Sequence, residues 1–90
     1  MRIVAVCGMG IGTSIILKMN TEKAAQRLGI DTEVEVADIG TARGAAATAD
    51  LVLTSADLAE ELTGLRAPVV VINNFTSIDE IAEKLSAHTR

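Results

Sequence analysis

Cys7 is the only cysteine in a chain of 90 residues, and it stands ahead of a stretch almost bare of side chains. The run VCGMGIGTS, positions 6 to 14, sets glycines at alternate positions (Gly8, Gly10 and Gly12) ahead of two hydroxyls, Thr13 and Ser14. Glycine lets successive backbone N–H groups turn into one concavity, because no Cβ obstructs them. A helix starting behind such a loop adds unpaired N–H groups and a partial positive charge. With the two hydroxyls as further donors, the stretch is suited to hold a phosphate-sized dianion. The thiol gains from the same setting. A helix N-terminus favours thiolate over thiol, and the thiolate is the nucleophile. A nucleophilic sulfur inside a phosphate cradle can accept a phosphoryl group covalently.

The spacing departs from other anion loops. Dinucleotide sites use G-x-G-x-x-G, whereas this loop reads G-x-G-x-G, and the Lys of the nucleotide P-loop is absent. Cysteine phosphatases use C-x5-R, the Arg gripping phosphate bidentately; the sixth residue after Cys7 is Thr13. Without that Arg the site holds a phosphoryl group less tightly, which suits handing it on. A small cysteine-dependent phosphatase or oxyanion reductase remains the alternative. The blandest reading is a free buried cysteine in an ordinary turn.

The elements that must position this loop are read from periodicity. Arg2 to Val6 is a short apolar run closed by glycine, a buried strand. Ser14 to Leu28 reads as a helix, with Thr13 or Ser14 as N-cap and Gly29 as its stop. Thr32 to Ala37 alternates, Val34 and Val36 facing one way and Glu33 and Glu35 the other, as an edge strand does. Gly40 to Ala49 suggests a short helix, Leu51 to Thr54 a second buried strand, and Ser55 to Leu62 another short helix. Val69 to Ile72 is a further apolar strand. Ser77 and Glu80 form a capping box that opens a last helix, with Ile78, Ile81 and Leu85 inward. The order βαβαβαβα predicts an α/β fold of three layers, with helices on both faces of a small open parallel sheet. The half-polar second strand at the edge gives the strand order 2-1-3-4, a flavodoxin-like arrangement with its switch point between strands 1 and 3. Cys7 then lies at the carboxyl end of strand 1, beside the crevice where such sheets bind ligands.

Composition narrows the function classes. One domain over 1–90 is expected from length. The chain is 49% hydrophobic but 1% aromatic, with a net charge of −4. Nucleic-acid modules want aromatic platforms or a basic stripe, so no nucleic acid is expected as partner. A lone cysteine fits a reducing compartment, and MRIVAV is too short to be a signal peptide, so a cytoplasmic location is expected. No ligand cluster accompanies the thiol, and neither metal nor cofactor is expected. Asp38 and Asp57 are the carboxylates expected near the strand tips, with no support beyond position, and Ser55 and Asn73 receive no role. His88, the only histidine, reads as a solvated helix-end residue.

The run C-G-M-G-I-G-T-S-I-I-L-K-M, positions 7 to 19, closely resembles the IIB components of the bacterial phosphoenolpyruvate-dependent sugar phosphotransferase system. It looks most like the ascorbate-type branch, with the galactitol and lactose/cellobiose branches more distant. The resemblance implies that Cys7 accepts a phosphoryl group from a phosphohistidine on a IIA component. It implies that the group then passes to a sugar held by a membrane-embedded IIC component, with which the protein associates transiently. It makes Gly8, Met9, Gly10, Ile11, Gly12, Thr13 and Ser14 the phosphate loop. On the helix behind the loop, Leu17, Ala24 and Leu28 form the sheet-facing stripe at 100° per residue. Ile15, Ile16 and Met19 lie opposite, either packed against a neighbouring element or exposed as a docking surface for the two partners.

Overall fold

Three continuous apolar runs make strands that are covered on both faces, and the fold is built around them. The computed structural model describes residues 1–7 and 11–88, with residues 11–14 as backbone. In chain order the elements are β1 (Arg2–Cys7), α1 (Ile11–Leu28), β2 (Glu33–Asp38), α2 (Ala42–Ala46), β3 (Leu51–Thr54), α3 (Ala56–Ala59), β4 (Val69–Val71) and α4 (Ile78–His88). A 3-10 turn over Glu60–Leu62 extends α3. The sheet order is β2-β1-β3-β4 and every pairing is parallel, as the alternation of elements requires.

The sheet divides the core into two layers. Ile3, Ala5, Leu51 and Leu53 point to the side covered by α1 and α4, where they meet Leu17 and Ile81. Val4, Val6 and Val52 point to the other side and pack on Ala42, Ala46 and Leu62. Alanine dominates the short α2, so that helix can lie close to the strands. The two larger helices pack against each other. Arg27 at the end of α1 also pairs with Asp79 in the first turn of α4.

Several expectations are corrected in detail. α1 begins at Ile11, not Ser14, so Thr13 and Ser14 lie within its first turn and neither is the N-cap. A first turn tolerates hydroxyls and glycine, because its amides have no intrahelical partner to lose. The buried stripe of α1 is Leu17, Thr21, Ala24 and Ala25, whereas Leu28, the last helical residue, is 37% exposed. Gly29 turns the chain away there at φ 69, and the Ile30 amide closes on the Ala25 carbonyl at 2.9 Å. Thr21 sits in an apolar stripe because its hydroxyl donates to the Leu17 carbonyl at 2.7 Å. Val36 does not share the burial of Val34. It is 38% exposed, at the open edge of the sheet where no further strand flanks β2 among the described residues. β1 runs one residue further than its pattern suggests, to Cys7, and β2 is shifted one residue later, over Glu33–Asp38, while α2 is shorter and β4 ends at Val71.

Candidate functional site

β1 carries its apolar run up to Cys7 and stops, and α1 opens at Ile11, four residues later. The positive end of α1 and the thiol therefore share the carboxyl-terminal rim of the sheet, at the switch between β1 and β3. Cys7 is free and only 6% exposed, its side chain in the layer beneath α1 and α4. The first-turn amides of α1 have no intrahelical acceptors. Of the expected phosphate loop, Gly8, Met9 and Gly10 lie outside the described residues. Ile11, Gly12, Thr13 and Ser14 form the first turn of α1.

The other strand ends supply the rest of the rim. Asp38 is the register partner of Cys7 across the β1–β2 pairing. Its carboxylate is taken up by its own turn, accepting from the Thr41 amide at 2.9 Å and the Thr41 hydroxyl at 3.1 Å. Ser55 occupies the N-cap position of α3 in extended backbone, without a side-chain capping bond. Asp57 is exposed in the first turn of α3. His88 is exposed in the last turn of α4, at the opposite end of the sheet from Cys7.

Behind β4, the loop carrying Asn73 is held by Glu80. The Glu80 carboxylate accepts from the Asn73 amide at 2.6 Å, the Asn74 amide at 2.9 Å and the Lys84 ammonium at 2.7 Å. The expected capping box is thus half formed. The Ser77 hydroxyl accepts from the Glu80 amide at 3.2 Å, but the Glu80 carboxylate reaches back past Ser77 to the loop. The Asn20 side-chain amide on α1 donates to the Phe75 carbonyl at 2.7 Å, tying the same loop to the helix behind Cys7.

The Lys84 hydrogen bond, followed by that of the Asn73 amide, holds the Glu80 carboxyl below its ordinary range. A carboxylate with a depressed pKa contributes stability above its unfolded-state value and loses it as the pH falls through the folded one. Glu80→Gln is therefore expected to be less stable than the parent at pH 7. The gap should shrink as the pH is lowered from 7 through the acid range, because parent Glu80 takes up its proton there as well. Denaturant midpoints across that range measure this; a gap of constant size throughout would contradict it.

Two features escape sequence reasoning. Thr54, fully buried at the end of β3, donates its hydroxyl to the Val6 carbonyl at 3.0 Å, next to Cys7 in the chain. The only local signal is a polar residue ending the apolar run LVLT. The clasp on the β4–α4 loop is the second, visible in the sequence only as a capping-box spacing. On α1, Ile15, Ile16 and Met19 are 46%, 43% and 49% exposed, an apolar face on the turns nearest the rim. No helix among the described residues is long and apolar enough to cross a membrane.

Known proteins resemble the whole chain. Residues 2–87 match the family model described as the PTS system, lactose/cellobiose specific IIB subunit. An ascorbate-specific PTS system EIIB component of Mycoplasma pneumoniae is 33% identical over 87 residues, which cover 96% of this chain and 92% of that protein. A protein of the same name from Shigella boydii is 33% identical over 92 residues, covering 97% and 91%. Among solved structures, the lactose-specific IIB component domain from Streptococcus pneumoniae superposes with a TM-score of 0.73 at 14% identity, over 100% of this chain and 98% of that one, and so shares its fold.

Proposed function

This chain belongs to the IIB family of the sugar phosphotransferase system, and from that premise we propose that Cys7 is the residue on which it carries the phosphoryl group. As a IIB component it is part of a phosphotransferase that delivers phosphoryl groups to sugar. IIB components work between a IIA and a IIC component. The position of Cys7 carries the proposal: the chain's one thiol ends β1 at the switch point, immediately ahead of the positive end of α1.

In the first step the Cys7 sulfur attacks the phosphorus of a phosphohistidine on IIA. The S–P bond forms as the P–N bond breaks, and that electron pair returns to the imidazole. In the second step a hydroxyl of the substrate bound by IIC attacks the same phosphorus. The O–P bond forms, the S–P bond breaks, the thiolate is regained and the hydroxyl proton is released. Backbone amides at the start of α1 face the charge that builds on the phosphoryl oxygens in both steps. Gly8 to Ser14 is the phosphate loop in this reading, and residues 1–90 act as one IIB-type domain on the cytoplasmic side of the membrane. We take the substrate to be of the ascorbate type, because relatives of 33% identity bear that name. The exposed face of Ile15, Ile16 and Met19 is where IIA and IIC dock, since it is apolar and adjoins the rim that both must reach.

A carrier and a hydrolase part company in one assay. Supplied with a phosphoenolpyruvate relay, a carrier takes up about one label per chain and keeps it until an acceptor arrives. A generic phosphomonoester should not be turned over. Steady hydrolysis of that ester, lost in Cys7→Ser, would establish the phosphatase alternative instead.

A further inference from the structure

Thr54 is the polar end of a strand whose other residues are Leu51, Val52 and Leu53. All four are fully buried, and Thr54 alone brings a hydroxyl into that setting. Packing does not ask for one: valine has nearly the same shape and favours strands as strongly. A buried hydroxyl is tolerated when it is bonded, and this one donates to the Val6 carbonyl at 3.0 Å.

The location of that bond gives it a consequence. The β1–β3 pairing runs in register from Ile3↔Leu51 to Ala5↔Leu53. Thr54 reaches across just beyond the last of these pairs. The Val6 carbonyl and the Cys7 amide belong to one planar peptide unit. Holding the carbonyl therefore sets the plane from which Cys7 leaves the sheet. Thr54 is itself anchored on its other side, its carbonyl accepting from the Ile72 amide at 2.8 Å. A continuous hydrogen-bonded path thus runs from the end of β4 through β3 to the peptide preceding the thiol. Val6 lies in the layer beneath α2, and Cys7 lies in the layer beneath α1. Thr54 thus acts through the peptide rather than by touching the sulfur.

We infer that Thr54 is a positioning residue for Cys7, its hydroxyl fixing the Val6–Cys7 peptide so that the sulfur meets the phosphoryl group in line. This rests on Cys7 being the phosphoryl acceptor. Small misplacements of a reacting atom are costly, so the expected loss is about tenfold in the rate of transfer from saturating phospho-IIA. Thr54→Val should show that loss, with the KM for phospho-IIA within about twofold and the final extent of labelling unchanged. Thr54→Ser, which keeps the hydroxyl, should transfer at the parent rate. A role in folding alone would instead lower the labelled fraction and leave the rate of the folded remainder intact. That result, or a folded Thr54→Val that transfers at the parent rate, overturns the inference. If Thr54→Val does not fold, Thr54→Ala against Thr54→Ser gives the same comparison, since both lack the methyl and only one lacks the hydroxyl. Alkylation of Cys7 by iodoacetamide needs no partner and separates this inference from the one beneath it. If the parent takes no label, the acceptor reading fails, and alkylation alone decides: slower in Thr54→Val than in parent and Thr54→Ser supports the positioning role, and equal rates in all three end it.

Discussion

Cys7→Ser is expected to lower phosphoryl transfer from phospho-IIA by about 10³-fold or more while the protein remains folded. The exchange replaces one atom. A thiol is far more acidic than an alcohol and attacks as the thiolate, whereas a serine hydroxyl stays protonated and needs a neighbouring base. The register partner of Cys7, Asp38, turns one carboxylate oxygen to the Thr41 amide and hydroxyl of its own turn. The side chain lies in an apolar layer with Ala5, Leu17 and Leu53, so a hydroxyl there costs about 1–2 kcal/mol of stability. Cys7→Ala avoids that cost and should be equally inactive. Stopped-flow transfer rates beside thermal melts check both halves. A folded Cys7→Ser within tenfold of the parent would show that the nucleophile lies elsewhere.

Charging the exposed face of α1 should produce the second largest effect. Ile16→Asp with Met19→Asp is expected to raise the KM for phospho-IIA by about tenfold or more, with kcat at saturation little changed. Both side chains are more than two-fifths exposed, so the substitutions should leave stability within about 0.5 kcal/mol for each change. The mechanism is desolvation: an apolar face meets a partner favourably, and a carboxylate placed in the centre of that contact must give up its water. Leu28→Asp is the control. It alters an exposed apolar residue of the same helix at the end remote from Cys7, and should leave transfer unchanged. Equal KM values in the double variant and the parent would remove the docking role.

Elements whose signal is local are legible in the sequence. The runs IVAV, LVL and VVV are strands because nothing in them tolerates water, and the alternating EVEV forms the edge. From those four the strand order follows. The exposed position of Ile15, Ile16 and Met19 follows from 100° per residue and the burial of Leu17. The start of α1 is hidden because glycines and hydroxyls signal loop wherever amides need partners, and in a first turn they do not. Leu28 and Val36 break their patterns because periodicity gives a direction and not the extent of the neighbour; one lies past the end of its cover, the other at an open edge. Thr54 is out of reach for a different reason. Its partner is 48 residues away in the chain, and only the register of two strands brings them together. The Glu80 clasp is an intermediate case: the spacing announces a cap, but the carboxylate takes the two loop amides and Lys84 as partners.

The most direct measurement is the site of the label. The parent protein is phosphorylated through a phosphoenolpyruvate relay, digested under conditions that preserve S–P bonds, and its peptides are sequenced by mass spectrometry. The phosphoryl group should be found on Cys7, at about one per chain, and should leave when a IIC component with its substrate is added. A phosphoryl group on any other residue, or a parent that takes up no label from a relay that charges another IIB protein, would contradict the account.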